Sequence, residues 1–439
     1  MDLPLPASPS TLTQDFADGD TLIRRTVLEC GTRVITQQVP ATRSVSLSAW
    51  VPVGSRDESP QHGGSTHFLE HLLFKGTRTR SAFDIAVAFD SVGGESNAET
   101  GKETTSYYAR IVDEDADMAL RVLLDMVTDS QIDPGEFDIE RGVILDELAM
   151  SDDSPMDVIH DAFALAVHGD TPLGRPVGGT PEAIRAISRD DVWDHYRASY
   201  TPDNLVIAAA GHVDHEHLIE LVQSGLADSS WAELAAGQTV PRPRRSTTPL
   251  PSTQAWPREV TTHRDIEQAH IIVGAPSIPA DDARRPVMSV LVNILGGSMS
   301  SRLFQEIRER RGLAYTTYAF DAAYSDAGAF GMYAGTSAKN ASEVQALMLA
   351  ELHSLAEKGP TEEELQRVRG QVRGSLALAM ESNASRMSRL GRSEIHGYYR
   401  TIDQLLDRIH EVSAEQVRDL AAELSKAPPC IALLNPKNA

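Results

Sequence analysis

The sequence predicts an α+β protein of two duplicated domains, each an antiparallel or mixed sheet packed against helices, joined by a linker. Three observations predict it. Short stretches with the period-2 alternation of strands are interspersed with stretches at the helical period. The order strand, helix pair, antiparallel strands, helix pair occurs twice. Between the two runs, Val240-Pro241-Arg242-Pro243-Arg244-Arg245-Ser246-Thr247-Thr248-Pro249-Leu250-Pro251 is rich in Pro and polar residues and has no apolar period. That is the texture of an extended linker. The expected boundaries are a flexible N-terminal extension at 1–24, a first domain at 25–228, the linker at 229–258 and a second domain at 259–439.

The elements follow in order. Ser44 to Val51 reads as a strand, with Val45, Leu47 and Ala49 alternating with Ser44, Ser46 and Ser48, the pattern of a half-buried sheet. Helices are expected at about 65–75 and 81–92. A Gly93-Gly94 turn leads into a strand at Thr104 to Arg110, and helices follow at about 113–129 and 134–151. Leu205 to Ala210 is a buried strand. In the second half, Ala269 to Gly274 is a strand, and a helix at about 282–295 ends at Gly296-Gly297. Another helix is expected at about 301–310, then a hairpin of strands near 314–323 and 327–335. Helices at about 341–357 and 361–381 complete the repeat.

Composition excludes several function classes. The chain has 439 residues, with 40 Lys+Arg against 63 Asp+Glu, a formal charge of −23. Nucleic-acid binders carry a basic footprint, and polybasic segments grip anionic membranes, so neither partner is expected. Basic, extended peptides suit the charge better. Apolar residues make up 41 % of the chain, enough for packed cores. Cys30 and Cys430 are the only cysteines, which is no disulfide framework and no Cys-rich metal site. The residues before Arg24 lack the basic start of a secretory or mitochondrial signal, and no apolar run reaches the roughly 18 residues of a membrane span. A cytoplasmic location is expected.

The segment that carries chemistry is His67-Phe68-Leu69-Glu70-His71. On a helix, positions i and i+4 share a face, so both histidines can reach one metal ion. Glu70, three residues after His67, looks the same way and is placed to accept a proton from water. The order H-x-x-E-H is the inverted form of the zinc-protease H-E-x-x-H. Catalytic zinc usually has a third protein ligand. Glu140 and Glu147 are seven residues apart, two turns of one helix, and share a face. Spacing leaves both open, and Asp146, His160 and His168 also remain candidates.

Further phrases resemble a known family. Gly54-Ser55-Arg56-Asp57-Glu58, His67 to Thr77, Gly93-Gly94-Glu95-Ser96-Asn97-Ala98, Glu140 to Glu147, Pro172 to Pro176 and Tyr200 to Leu205 lie in the first half. Gly296 to Phe304 and Ile307 to Tyr315 lie in the second. Together they resemble the inverzincin peptidases of the pitrilysin and mitochondrial-processing-peptidase family, most of all its single-subunit bacterial members, over about residues 25–435.

The resemblance implies a zinc-dependent endopeptidase that hydrolyses extended peptides or unfolded segments inside a homodimeric chamber in the bacterial cytosol. It implies one Zn²⁺ per subunit held by His67, His71 and Glu147, the last lying 147 − 71 = 76 residues after the second histidine. Glu70 maps onto the general base and Glu140 onto an accessory carboxylate. Arg308 and Tyr315 match a pair used on bound substrate, contributed by the other subunit. Gly94, Asn97, Ala98, Glu99 and Thr100 match the edge strand along which substrate lies. The family also contains non-catalytic partner or core subunits. Those have lost the zinc motif, which is present here.

Overall fold

The computed structural model describes residues 1–247 and 258–437. The expected linker falls partly at 248–257, outside the described residues. Ala232–Ala235, within the same stretch, forms a short helical turn. Two compact units are present. The first comprises Met1–Leu148, Pro176–Arg244 and Leu376–Ile402; the second comprises Ala149–Arg175, Arg245–Ser375 and Asp403–Ala439. Each unit draws one segment from across the sequence boundary, so neither coincides with a contiguous stretch such as 25–228 or 259–439.

The first unit is built on a seven-stranded mixed sheet. Its strands are β1 (Leu12–Asp18), β2 (Thr21–Val27), β3 (Arg33–Gln38), β4 (Ser44–Val51), β5 (Glu95–Thr100), β6 (Thr105–Val112) and β7 (Val206–Gly211). They lie in the order β1-β2-β3-β7-β4-β6-β5. Only β3 and β7 run parallel. Between β4 and β5 come α1 (Ser65–Leu72) and α2 (Ala82–Asp90); after β6 come α3 (Ala116–Asp129) and α4 (Pro134–Asp153).

Both faces of this sheet are covered, which corrects the half-buried reading of β4. Ile207 and Ala209 of β7 join Val45, Leu47 and Ala49 in the core under α3. Val206, Ala208 and Ala210 point the other way, onto Met387 and Leu390 of the helix Asn383–His396. Ser46 and Ser48 are therefore buried as well. Their short hydroxyls can be satisfied there: Ser48 Oγ accepts from Trp50 Nε1 at 2.7 Å and donates to the Ala208 carbonyl at 3.3 Å. Gly391 lets the helix close on this face, because a Cβ there would stand 2.4 Å from Trp50 Nε1.

The N-terminal residues are not a loose extension. β1 and β2 pair as a hairpin at the sheet's edge, turning through Gly19 at φ +63°, a conformation open to glycine. Leu3 is fully buried, and the terminal ammonium donates to the Tyr399 carbonyl at 2.6 Å. Every second residue of β1 is half-buried, down to the buried Asp18, which stabilises the segment although its sequence is polar enough to read as loop.

The second unit has a five-stranded mixed sheet of β8 (Glu259–Arg264), β9 (Ala269–Ser277), β10 (Ala314–Ala323), β11 (Gly328–Thr336) and β12 (Cys430–Pro436), ordered β10-β11-β9-β12-β8. The expected hairpin is β10–β11. One face packs on the helices Arg285–Gly296 and Ala341–Lys358. The other face packs on α5 (Pro155–His168), through Ile159, Phe163 and Ala166. The helix expected at 301–310 is a wide π turn, Phe304–Arg310. Such turns recur at functional sites. Among the described residues no helix is long and apolar enough to cross a membrane.

Candidate metal centre

α1 is amphipathic in the way its spacing predicts. Phe68, Leu69 and Leu72 are buried in the first core, and His67, Glu70 and His71 share the opposite side. α4 docks against it through aromatic packing: Phe137 stacks on Phe68 with centroids 4.4 Å apart, and the Arg141 guanidinium lies 4.8 Å from the Phe137 ring. Phe137 and Ile144 face the core one helical repeat apart, which turns Glu140 and Glu147 toward α1.

The donor atoms then converge. His67 Nε2 and His71 Nε2 are 3.2 Å apart. Glu147 Oε2 lies 3.3 Å from His71 Nε2 and 3.7 Å from His67 Nε2. Three ligands of a tetrahedral zinc ion, at about 2.0–2.1 Å each, stand about 3.3 Å from one another. The cluster therefore fits such an ion. Among the described residues it is the only group of His, Cys, Asp and Glu that meets at metal-ligand spacing.

Glu140 sits behind the cluster. It is 3 % exposed, accepts from His71 Nδ1 at 2.9 Å and pairs with Lys75 at 2.7 Å. A carboxylate on Nδ1 fixes the tautomer that leaves Nε2 free to bind metal. Burial, then the neighbouring His71, pushes the His67 imidazole down to about 4, so it stays neutral across the physiological range. The Glu70 carboxyl is raised, chiefly by burial and further by Glu147 and Glu99, while a hydrogen bond from Thr100 Oγ1 works the other way. At the start of α1, the Glu58 carboxyl is pushed up to about 7, again by burial, although it accepts two backbone N–H bonds.

The structure separates the alternatives that spacing left open. Asp146 is exposed. His160 and His168 lie on α5 in the second unit, where His160 Nε2 meets Tyr318 Oη at 2.9 Å and the His168 ring faces Tyr324 at 5.7 Å. β5 is the sheet's outer strand. Gly94 leads into it, Asn97 and Glu99 are exposed, and Ala98 pairs with Tyr107 of the neighbouring strand. Arg308 and Tyr315 lie side by side in the second unit, the guanidinium 4.5 Å from the ring centroid, with Tyr315 76 % exposed. Sequence reasoning missed Glu58 and Lys75 as parts of the site. Glu58 carried a signal only as the last residue of a family phrase. Lys75, at i+4 from His71, carried one through helical spacing.

Comparison with known proteins identifies the family. A family model described as Insulinase (Peptidase family M16) matches residues 33–181, and one described as Peptidase M16 inactive domain matches residues 186–372. A Streptomyces coelicolor protein named uncharacterized zinc protease is 44 % identical over 94 % of this chain and 90 % of its own length. Proteins of the same name from Mycobacterium tuberculosis and Bacillus subtilis are 41 % and 36 % identical, over 93 % and 98 % of their lengths. The crystal structure of a protease from Helicobacter pylori superposes with a TM-score of 0.82 at 19 % identity, covering 97 % of this chain and 100 % of that one. A crystal structure of a peptidase M16 inactive domain from Pseudomonas fluorescens gives 0.81 at 18 %, covering 97 % and 98 %. At those identities the two structures speak for the fold. With both family models matched in chain order, and bacterial relatives aligned over nine-tenths or more of their length, the chain belongs to peptidase family M16.

Proposed function

We propose that the protein is a zinc-dependent endopeptidase acting on extended peptides or unfolded segments, with one zinc ion per subunit held by His67, His71 and Glu147. The observation that carries this reading is the meeting of three donor atoms at tetrahedral-ligand spacing. The relatives named zinc protease support it. Bound there, zinc supplies Lewis acidity, lowering the pKa of a coordinated water toward about 7 and polarising the scissile carbonyl.

The chain's own groups do the rest. Glu70 is the general base. Burial raises its carboxyl above the ordinary value, which makes the carboxylate the stronger base, and it passes the proton on to the leaving amine. Glu140 holds His71 in its metal-binding tautomer. The open edge of β5, from Gly94 to Thr100, pairs with the substrate's main chain, so affinity depends little on side chains. A second copy of the chain brings Arg308 to grip a peptide carbonyl and Tyr315 to donate to the developing oxyanion. A cytosolic setting belongs to the same proposal, and the free, buried Cys30 and Cys430 suit a reducing compartment.

The experiment is metal analysis with a quenched-peptide assay. Wild type is expected to carry zinc, to lose cleavage to a chelator and to regain it with zinc. Glu70→Gln is expected to keep the metal and lose about 10²- to 10⁴-fold in rate. Mixed with an Arg308→Ala/Tyr315→Phe chain, it should regain part of the activity. Wild-type cleavage by Glu70→Gln would remove the base, and a chain without zinc would remove the metal reading. No recovery in subunits shown to exchange would remove the role in trans.

A further inference from the structure

The start of α1 is built in an unusual way. The helix is eight residues long, and its cap position is Gly64 at φ +93°, which has no side chain to satisfy the first amides. Ser, Asn or Asp would ordinarily do this. None fits, because a Cβ on Gly64 would lie 2.6 Å from both the Gly178 carbonyl oxygen and Ile184 Cδ1. The Thr66 hydroxyl does not cap its own helix: it lies 3.1 Å from His195 Nε2 and also bonds the Glu58 carboxyl. Thr66 is also fully buried, so water does not reach its amide.

We propose that Glu58 is a positioning residue for the metal centre: its carboxylate caps α1 from six residues upstream and fixes the helix that presents His67 and His71. Oε2 accepts from the Gly64 amide at 2.7 Å and Oε1 from the Thr66 amide at 2.7 Å. One side chain thus satisfies two of the amides that every helix start leaves over. The inference rests on the reading that α1 carries the metal ligands.

Glu58 can do this because its own loop is fastened. The Ser55 amide donates to the Gly101 carbonyl at 3.1 Å and the Arg56 amide to the Lys102 carbonyl at 2.9 Å. Arg56 pairs with Glu103, and Asp57 accepts from the Gly54 amide at 2.9 Å. Gly54 lies directly on the turn between β5 and β6, where a Cβ would meet the Lys102 carbonyl carbon at 2.4 Å. The Gly54-Ser55-Arg56-Asp57-Glu58 phrase is therefore a strap from that turn to the first amides of the metal helix.

His67, the residue after Thr66, depends on this strap more than His71 does. His71 is oriented by Glu140. Buried His67 Nδ1 has no hydrogen-bond partner among the described residues, so its ring is placed by the backbone of α1.

The test measures the zinc affinity of the metal-stripped full chain by competition with a chromophoric chelator. Hydrogen exchange of the amides at 64–72 is followed in the metal-free protein. Glu58→Ala is expected to weaken zinc binding, by at most the roughly 10- to 100-fold that follows loss of a partner bonded directly to a metal ligand, and to speed exchange across α1. Glu58→Gln keeps one acceptor oxygen and should fall between Ala and wild type. Affinity and exchange within twofold of wild type in the Ala chain would overturn the inference. Should that chain fail to fold, equal values in the Gln and wild-type chains would overturn it. A wild type that takes up no zinc, with exchange still faster in the variants, removes the metal reading and leaves the cap standing.

Discussion

The two units carry the same five-stranded sheet, entered in the same order. β3-β7-β4-β6-β5 in the first matches β8-β12-β9-β11-β10 in the second, and the one parallel pair falls at the same place. The helix after the second strand of this set differs completely in chemistry. In the first unit it is α1, with His67, Glu70 and His71 on its open face. In the second it is Arg285–Gly296, where Val287, Met288, Val290, Leu291, Ile294 and Leu295 are all buried and no ligand residue occurs. The equivalent position thus carries candidate metal ligands in one copy and core packing in the other, and the family model matching residues 186–372 is described as an inactive domain. At this position the copies are distinguished by the side chains the helix carries.

The outer faces differ as well. Each sheet is covered there by a helix from the distant part of the sequence: Asn383–His396 on the first and α5 on the second. The first contact is charged. Glu394 is fully buried and accepts from Arg25 Nε at 2.6 Å, Arg25 Nη2 at 2.9 Å and Arg244 at 3.2 Å, with Arg33 at 4.0 Å. Burial, partly offset by Glu394, holds Arg33 down to about 10. The second contact is aromatic. Tyr318 stacks on Tyr333 at 4.7 Å and bonds His160, and Tyr333 bonds His270 at 2.8 Å. Breaking one partner of a buried ion pair costs about 3–5 kcal/mol, because the other charge stays buried and unpaired. Losing one neutral hydrogen bond costs about 1 kcal/mol. Urea unfolding should therefore show the larger loss for Glu394→Ala and the smaller for Tyr318→Phe. Equal losses would mean that charge does not distinguish the two contacts.

A pH experiment separates the units a second way. His215, in the first unit, is buried between Thr26 and Thr36 hydroxyls, each 2.9 Å from a ring nitrogen. Burial, with Arg24 nearby, pushes its imidazole down to about 4. The folded state thus favours neutral His215, and the unfolded chain binds the extra proton between about pH 6.5 and 4. Stability is fully present above that window and is lost as pH falls through it, by roughly 3 kcal/mol for this one group. Metal-free His215→Gln should lose correspondingly less than wild type between pH 7 and pH 4. Parallel curves would show that His215 does not set the acid sensitivity.

Much of this was legible in the sequence, and the rest was not, for identifiable reasons. The face shared by His67, Glu70 and His71 follows from helical spacing alone. Glu140 and Glu147 share their face equally, so spacing could not rank them; the Phe137–Phe68 stack, formed between distant parts of the chain, sets which carboxylate reaches the cluster and which stands behind it. Amphipathic patterns marked the helices but do not say which sheet a helix covers, so the exchange of outer helices was invisible. β1 was missed because its inward side is only half-buried and is carried by alternate residues of a polar stretch. The Glu58 cap was invisible for a related reason: its partner amides belong to backbone, which leaves no residue signature.

The smallest effect tests the difference between the two equivalent helices most directly. His71 is held from behind: Nδ1 donates to Glu140, and Lys75 pairs with the same carboxylate. In Arg285–Gly296 the polar side chain at mid-helix bonds locally, Asn293 Nδ2 donating to the Ser289 carbonyl at 2.8 Å, while Arg285 at the helix start pairs with Asp321. Glu140→Gln keeps the shape but replaces the anion with an amide, which polarises His71 less and leaves the Lys75 ammonium facing a neutral group. Zinc affinity is expected to fall about 10- to 100-fold with the fold intact. Asn293→Ala in the second unit should leave zinc affinity unchanged while lowering stability by about 1 kcal/mol through the lost hydrogen bond. Chelator competition on both chains reads the contrast. If Glu140→Gln binds zinc as tightly as wild type, His71 is placed by α1 alone, and the first unit's helix works, like its counterpart, through packing with no support from behind.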